Sequence, residues 1–251
     1  MPVAQLVEQQ SPKLKVGGSS PSGHVGENMF AFIGDIHGDF AFFHRKPFTD
    51  ISKNVQVIQV GDFGIGPKLV SYWKPASWLN NPVFFIDGNH EFFPLINGYT
   101  KPTAIADGLV YLPRGTVLNM DGIRVGFCGG GFSVDKICRT PGYDWFPEER
   151  ITTQDFEKFK DVGKLDLLVT HVPPAYFIRD NPDIGDLNIL QMYGYKKGFI
   201  DANSYLVEDI WNLVGNPPLI CGHMHKSKSD GRVRVLREEE VFLYDPTKME
   251  L

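Results

Sequence analysis

MFAFIGDIHG, residues 29–38, runs from five apolar positions straight into Gly34, Asp35, Ile36, His37 and Gly38. A short unbroken apolar run reads as a strand buried on both faces, and this one stops on a carboxylate and an imidazole. The arrangement recurs down the chain. Residues 55–60 lead into Gly61 and Asp62, and residues 83–86 into Asp87, Gly88, Asn89, His90 and Glu91. Residues 165–170 lead into His171, and 218–221 into Gly222, His223, Met224 and His225. Five buried strands that each close on a polar cluster predict an α/β protein, because α/β sheets gather ligands at the carboxyl ends of their strands.

The intervening sequence reads less sharply. A short helix is expected within 39–50 and a weak one over 68–79, interrupted at Pro75. Strands are expected at 109–112, 116–119 and 123–128, with Asp121 and Gly122 as a hairpin turn. Pro147, Glu148 and Glu149 predict the start of a helix running to about Lys160, with its acids in the first turn where the helix dipole favours them. Residues 172–203, rich in proline, glycine and aromatics, read as a long functional loop. Asn203 is expected to cap a helix ending at Leu213, and 233–236 with 241–244 to form a closing hairpin.

The chain has 251 residues, 42% hydrophobic, which suits one domain with a substantial core over 29–251. A net charge of −5 gives no basic footprint, so general duplex nucleic-acid binding is not expected. No apolar run approaches the ~20 residues needed to span a bilayer, so no membrane partner is expected. The three cysteines show no paired spacing and read as reduced thiols, and no signal-peptide order precedes the domain; a cytoplasmic protein is expected. Residues 1–28 lack any sustained period and are expected to form a disordered tail. Back-translated, residues 3–9, 11–13 and 16–21 can be written as the D-arm, a tryptophan anticodon loop and the T-arm of a transfer-RNA gene, in that order. The expectation is a reading frame extended through such a gene, with the start at Met29; an ordinary flexible tail is the alternative.

Collected in order, the clusters hold Asp35, His37, Asp62, Asn89, His90, His171, His223 and His225. Carboxylate, amide oxygen and imidazole suit manganese, iron, zinc or nickel, with manganese favoured, and no thiolate takes part. A lone Gly-Asp is usually a turn and a lone histidine a satisfied polar residue. Five such clusters at five strand ends are not explained as unrelated turns.

These motifs resemble the five signatures of calcineurin-like metallophosphoesterases, over residues 29 to about 245. The resemblance implies a four-layer α/β/β/α sandwich with two divalent metal ions at the strand ends. It implies Asp35, His37 and His225 on one ion, Asn89, His171 and His223 on the other, and Asp62 bridging both. It also implies that His90 binds no metal and faces the leaving group as general acid, while Asp62 shares in catalysis through the bridge. Two cations about 3.5–4 Å apart acidify a shared water to a bridging hydroxide and align a phosphoester for in-line attack. The implied substrate is a phosphomonoester or phosphodiester, on a small molecule or a phosphoprotein.

Protein serine/threonine phosphatases extend the second motif as Gly-Asp-x-x-Asp-Arg-Gly, where this chain has Ile65 and Gly66. That disfavours a protein phosphatase as the alternative function and leaves Asp87 and Glu91 as neighbours that could orient His90. A non-catalytic metal-binding module is a further alternative, disfavoured because every ligand type and His90 are present. Residues 129–136 (GGGFSVDK), with Arg139, Trp145 and Glu148, resemble a subgroup of small bacterial and phage phosphoesterases. There the glycine run could form a backbone anion nest, and Lys136, Arg139 and Asn89 could bind the phosphoryl group. Substrate selectivity is expected from 172–203, with Tyr176, Phe177, Tyr193 and Tyr195 stacking on a ring and Arg179, Lys196 and Lys197 meeting anionic groups.

Overall fold

The strands are apolar at successive positions because alternate positions along them serve different cores. In β1 (Phe30–Ile33), Phe30 and Phe32 enter a cluster between two sheets, while Ala31 and Ile33 enter another on the outer face. The same division holds along β2 (Gln56–Gln59) and β3 (Val83–Phe85), so both faces of each strand are covered. The computed structural model describes residues 29–251 apart from 68, 249 and 250. The tail expected over 1–28 lies outside the described residues.

The chain forms two six-stranded mixed sheets, as the α/β expectation requires. β4 (Thr103–Ala106) and β5 (Leu109–Tyr111) extend the first sheet, which β12 (Val241–Tyr244) closes on its other edge in the order β12-β1-β2-β3-β5-β4. The second contains β6 (Thr116–Met120), β7 (Ile123–Cys128), β8 (Leu167–Thr170), β9 (Leu219–Cys221), β10 (Lys228–Ser229) and β11 (Val233–Val235), in the order β10-β11-β9-β8-β7-β6. In each sheet the four central strands pair in parallel and the edge strands antiparallel. Phe30, Phe32, Ile58, Val125, Phe127 and Leu167 belong to the cluster between the sheets. Outside the second sheet packs α5 (Ala202–Leu213), burying Val207, Ile210 and Trp211. Outside the first sheet the cover is phenylalanine-rich and built from 3-10 turns at Phe40–His44 and Phe48–Asp50 with the single-turn α1 (Leu69–Tyr72).

Several local expectations are corrected. The strands at 233–235 and 241–244 are not a hairpin. β11 pairs in parallel with β9 in the second sheet, and β12 pairs antiparallel with β1 in the first. The chain crosses between sheets through residues 236–240, and that crossing brings Glu238 to the site described below. The helix expected from Pro147 is a 3-10 turn at Pro147–Glu149, and α2 (Thr153–Glu157) starts separately where Thr152 and Asp155 form a reciprocal capping box. Within 172–203 lie two helices, α3 (Ala175–Asp180) and α4 (Leu187–Met192). The cap of α5 is Asp201, whose carboxylate accepts from Asn203 N at 2.7 Å. Asn203 instead is buried, and its amide oxygen accepts from Ile151 N at 2.8 Å. Among the described residues, no helix is long and apolar enough to cross a membrane. All three cysteines are free, with Cys128 and Cys221 buried.

Candidate metal centre

The carboxyl ends of β1, β2 and β3 meet those of β8 and β9, and there the five motifs converge. Asp35, His37, Asp62 and His225 place one ligand atom each within 4.8 Å of one another; so do Asp62, His171 and His223. Asp62 belongs to both sets. Asp35, Asp62 and His171 are almost wholly buried, whereas His37 and His225 face outward. The spacing is tight: His37 Nε2 lies 3.3 Å from His225 Nε2, His225 Nε2 3.3 Å from Asp35 Oδ2, and His171 Nε2 3.3 Å from Asp62 Oδ1.

The backbone is bent to achieve this. Among the described residues, seven non-glycine positions have positive φ, and four of them are His37, Asp62, His223 and His225. Each such residue costs of order 1–3 kcal/mol, a strain that clusters at functional sites. Gly88 and Gly222 remove the remaining obstacle. A side chain on Gly88 would strike the Asp62 carboxylate, and one on Gly222 the Asp35 carboxylate.

Second contacts fix which atom each candidate ligand presents. The Nδ1 of His171 lies 3.0 Å from the Val60 carbonyl and donates to it, which leaves Nε2 facing Asp62 and Asn89 as the nitrogen a cation could take once its proton is displaced. Asn89 Nδ2 donates to Ser133 Oγ at 3.1 Å, and that hydroxyl donates to Glu149 Oε2 at 2.6 Å. Asn89 therefore presents its oxygen, 3.3 Å from His171 Nε2. His90 N donates to Asp62 Oδ1 at 2.8 Å, and His223 N lies 3.1 Å from Asp35 Oδ2. Gln59, buried at the end of β2, bonds to Gly34 O and to both backbone groups of Gly61, tying the first two motif loops together.

The electrostatics match a cation site. Burial works against the charge of Asp62, but His171, His90 and His37 hold its pKa well below the ordinary carboxylate value. Burial likewise opposes protonation of His171, and Asp62 with Asp35 outweighs it, raising the pKa to about 9. A cation taken up by this set competes with that proton. His223 goes the other way: burial and then repulsion from His171 push it down to about 3, which keeps the imidazole neutral and ligand-ready. Two buried carboxylates ringed by imidazoles and an oriented amide oxygen fit divalent transition metals by donor chemistry.

His90 belongs to neither donor set. Its Nε2 lies 4.0 Å from Asp62 Oδ2, and Arg139 Nη2 sits 2.9 Å from Nε2 and 3.0 Å from Nδ1. One N–H cannot align with both ring nitrogens, so this contact positions the ring more than it bonds to it. Arg139 is anchored by Asp135, at 2.8 Å from Nε to Oδ1 and from Nη2 to Oδ2. Neither expected orienter touches the ring. Asp87 instead accepts from Tyr111 OH and from Arg114, which also bonds the Glu148 and Glu149 carbonyls. Glu91 is buried and accepts from the N–H groups of Phe63 and Ile65, shaping the loop after Asp62. Lys136 lies over the Phe132 ring, 4.8 Å from its centroid.

The anion nest is corrected. Gly130 N donates to Asp87 O, Gly131 N to Glu149 O and Ser133 N to Glu149 Oε1, so these N–H groups are already used. The glycine run instead permits close passage: a side chain on Gly131 would lie 2.9 Å from Asn89 Oδ1. The sequence reading also missed Glu238. Its carboxylate lies 3.1 Å from His225 Nδ1 and 3.7 Å from His37 Nε2, and nothing in the local sequence signals a partner reached by crossing between sheets.

Of the residues expected to select substrate, Tyr176 stacks on Trp211 at 5.1 Å, Phe177 is core, and Arg179 pairs with Glu208 at 3.0 Å. Lys197 pairs with Asp183 at 2.6 Å. The first three pack the segment onto the domain and the Lys197 pair is internal to it, whereas Tyr193 lines the cavity beside Asp62, Asn89 and His90.

Ser133→Ala should free the Asn89 amide to rotate and present nitrogen, which cannot ligate. The expected result is metal affinity weaker by ~10–100-fold, the usual effect of losing an outer contact to a ligand. Titration of stripped protein with manganese by calorimetry reads it; an unchanged affinity would show that Asn89 needs no such partner.

A family model of calcineurin-like phosphoesterases matches residues 29–227, and the chain belongs to that family. The family comprises, in general, metal-dependent phosphoesterases. Comparison with curated proteins finds no match.

Proposed function

We propose that this calcineurin-like phosphoesterase hydrolyses small phosphomonoesters or phosphodiesters in the cytoplasm, using two divalent ions with manganese favoured. The observation that carries this reading is Asp62, common to two donor sets beside a histidine that joins neither. Asp35, His37 and His225 would hold one ion and Asn89, His171 and His223 the other, with Asp62 between them. Bound there, such ions make water nucleophilic at neutral pH and neutralise phosphoryl oxygens.

The protein's own groups supply the rest. His90 delivers a proton to the departing oxygen, and Arg139 holds its ring against the site while offering positive charge to the ester. Asp62 holds the His90 backbone, so ligand and acid are set in one geometry. Burial lowers the pKa of His90, Asp62 opposes, and Arg139 reinforces the lowering. An incoming phosphoryl dianion acts with Asp62 to restore the proton.

A phosphoprotein substrate is disfavoured. Ile65, where protein phosphatases carry an acid, is buried in the apolar cover of the first sheet and cannot address His90. Stripped protein reloaded with manganese, iron, zinc or nickel should regain turnover of an aryl phosphate in step with binding of about two ions per chain. Full turnover by protein shown to hold no metal would refute the reading.

A further inference from the structure

Against Asp62, Asn89, His90, His223 and His225 opens a cavity of about 390 Å³, far larger than a phosphoryl group requires. Its far wall is apolar, formed by Phe132, Ile178, Ile189, Leu190, Met192 and Phe199. Phe132 and Phe199 lie 5.9 Å apart between centroids and are backed by Tyr195, 4.2 Å from Phe199, so the wall includes a packed aromatic face. Ile189 and Met192, on α4, are 44% and 74% exposed. Large apolar side chains left open beside a polar centre mark a place where something apolar is received.

The carboxylates along the same wall disfavour a second anion. Asp135, Asp186 and Asp201 line it, Asp186 and Asp201 as the N-caps of α4 and α5 and Asp135 bound to Arg139. Apart from the histidines, Lys226 is the one basic residue among the described lining residues, and its ammonium donates to the carbonyls of Asp183 and Gly185 at 2.8 and 3.1 Å; Lys136 and Arg150 lie over the Phe132 ring, 4.8 and 5.9 Å from its centroid.

We infer that the substrate is an ester of a single phosphoryl group with an uncharged apolar or ring-bearing alcohol, the alcohol lying against α4 and the Phe132–Phe199 face. The inference rests on the proposed phosphoesterase reading and adds the substrate class. Polyphosphates and esters whose alcohol carries a carboxylate are poorer ligands, because Asp186 and Asp201 meet their extra charge with like charge.

The test uses ethyl phosphate, 2-phenylethyl phosphate and 2-(4-carboxyphenyl)ethyl phosphate, whose alcohols leave with similar ease. The manganese-loaded protein is compared with its Ile189→Ser/Met192→Ser double variant, which changes exposed side chains. Calorimetric binding of the three corresponding phosphonates, which cannot be hydrolysed, is measured in parallel. The phenylethyl compounds should exceed the ethyl compounds by at least about tenfold in kcat/KM and in affinity, since even one apolar group fitted to a pocket discriminates that strongly. The carboxylate should erase most of that gain, and the double variant should shrink it severalfold. Equal affinity for ethyl- and phenylethylphosphonate, or tight binding of the carboxylated one, overturns the inference. If no ester is turned over yet the phosphonates are still discriminated, the hydrolytic reading fails while the pocket assignment stands.

Discussion

Asp62→Asn is expected to lower kcat/KM by at least about 10³-fold and to reduce bound metal in both donor sets together. The substitution keeps the shape and removes the charge. Asp62 is the one residue present in both sets, and it faces His171 at 3.3 Å and His37 at 3.9 Å from opposite oxygens. An amide offers one weaker oxygen, so neither donor set would keep an anionic ligand at this position, and charge stabilisation at the reacting phosphoryl group is worth about 10²–10³-fold per lost contact. His225→Ala is the control. That residue lies on the exposed side and belongs to one set alone, so one ion should weaken while the other stays. Metal analysis after dialysis, alongside turnover, distinguishes the two patterns. Retention of both ions and full activity by Asp62→Asn would remove the shared-ligand reading.

What the sequence made legible was local. A largely apolar run of four to six residues ending in a cluster of aspartate, asparagine or histidine has few structural solutions, so β1, β2, β3, β8 and β9 and the polar clusters after them could be read directly. Three kinds of fact were not local. Which sheet a strand joins is decided by distant partners: β11 and β12 look like a hairpin by spacing, yet they pair with β9 and β1. Where a helix starts depends on which side chain reaches a free N–H, and Asp201 rather than Asn203 does so for α5. What a polar side chain binds depends on packing. Glu91 and Asp87 adjoin His90 in sequence, but their carboxylates serve the backbone of the next loop and a buried arginine. The glycine run after β7 has the composition of an anion nest, and its N–H groups are consumed by Asp87 and Glu149, which local sequence does not reveal.

His90→Asn should separate acid catalysis from metal binding. The side chain lies outside both donor sets, so metal content should remain near normal. The ring lines the cavity, between His37, with 4.9 Å between ring centroids, and Arg139 Nη2 at 2.9 Å, where a departing alcohol would emerge. An alkoxide leaves only when protonated, and loss of a positioned general acid typically costs ~10²–10⁴-fold. A nitrophenolate needs no such help. The variant should therefore hydrolyse ethyl phosphate more slowly by that factor while 4-nitrophenyl phosphate falls far less. The shape of the loss is as informative as its size. If His90 served mainly to hold the substrate's phosphoryl oxygens, both esters would lose equally, because they present the same phosphoryl group. Asparagine still offers a hydrogen-bond donor near those oxygens but no titratable proton, so the ratio of the two losses isolates proton delivery. Arg139→Lys gives the matching check on position: it keeps the charge yet loses the planar contact with both ring nitrogens. It should show a weaker version of the same leaving-group dependence if Arg139 acts by holding the His90 ring.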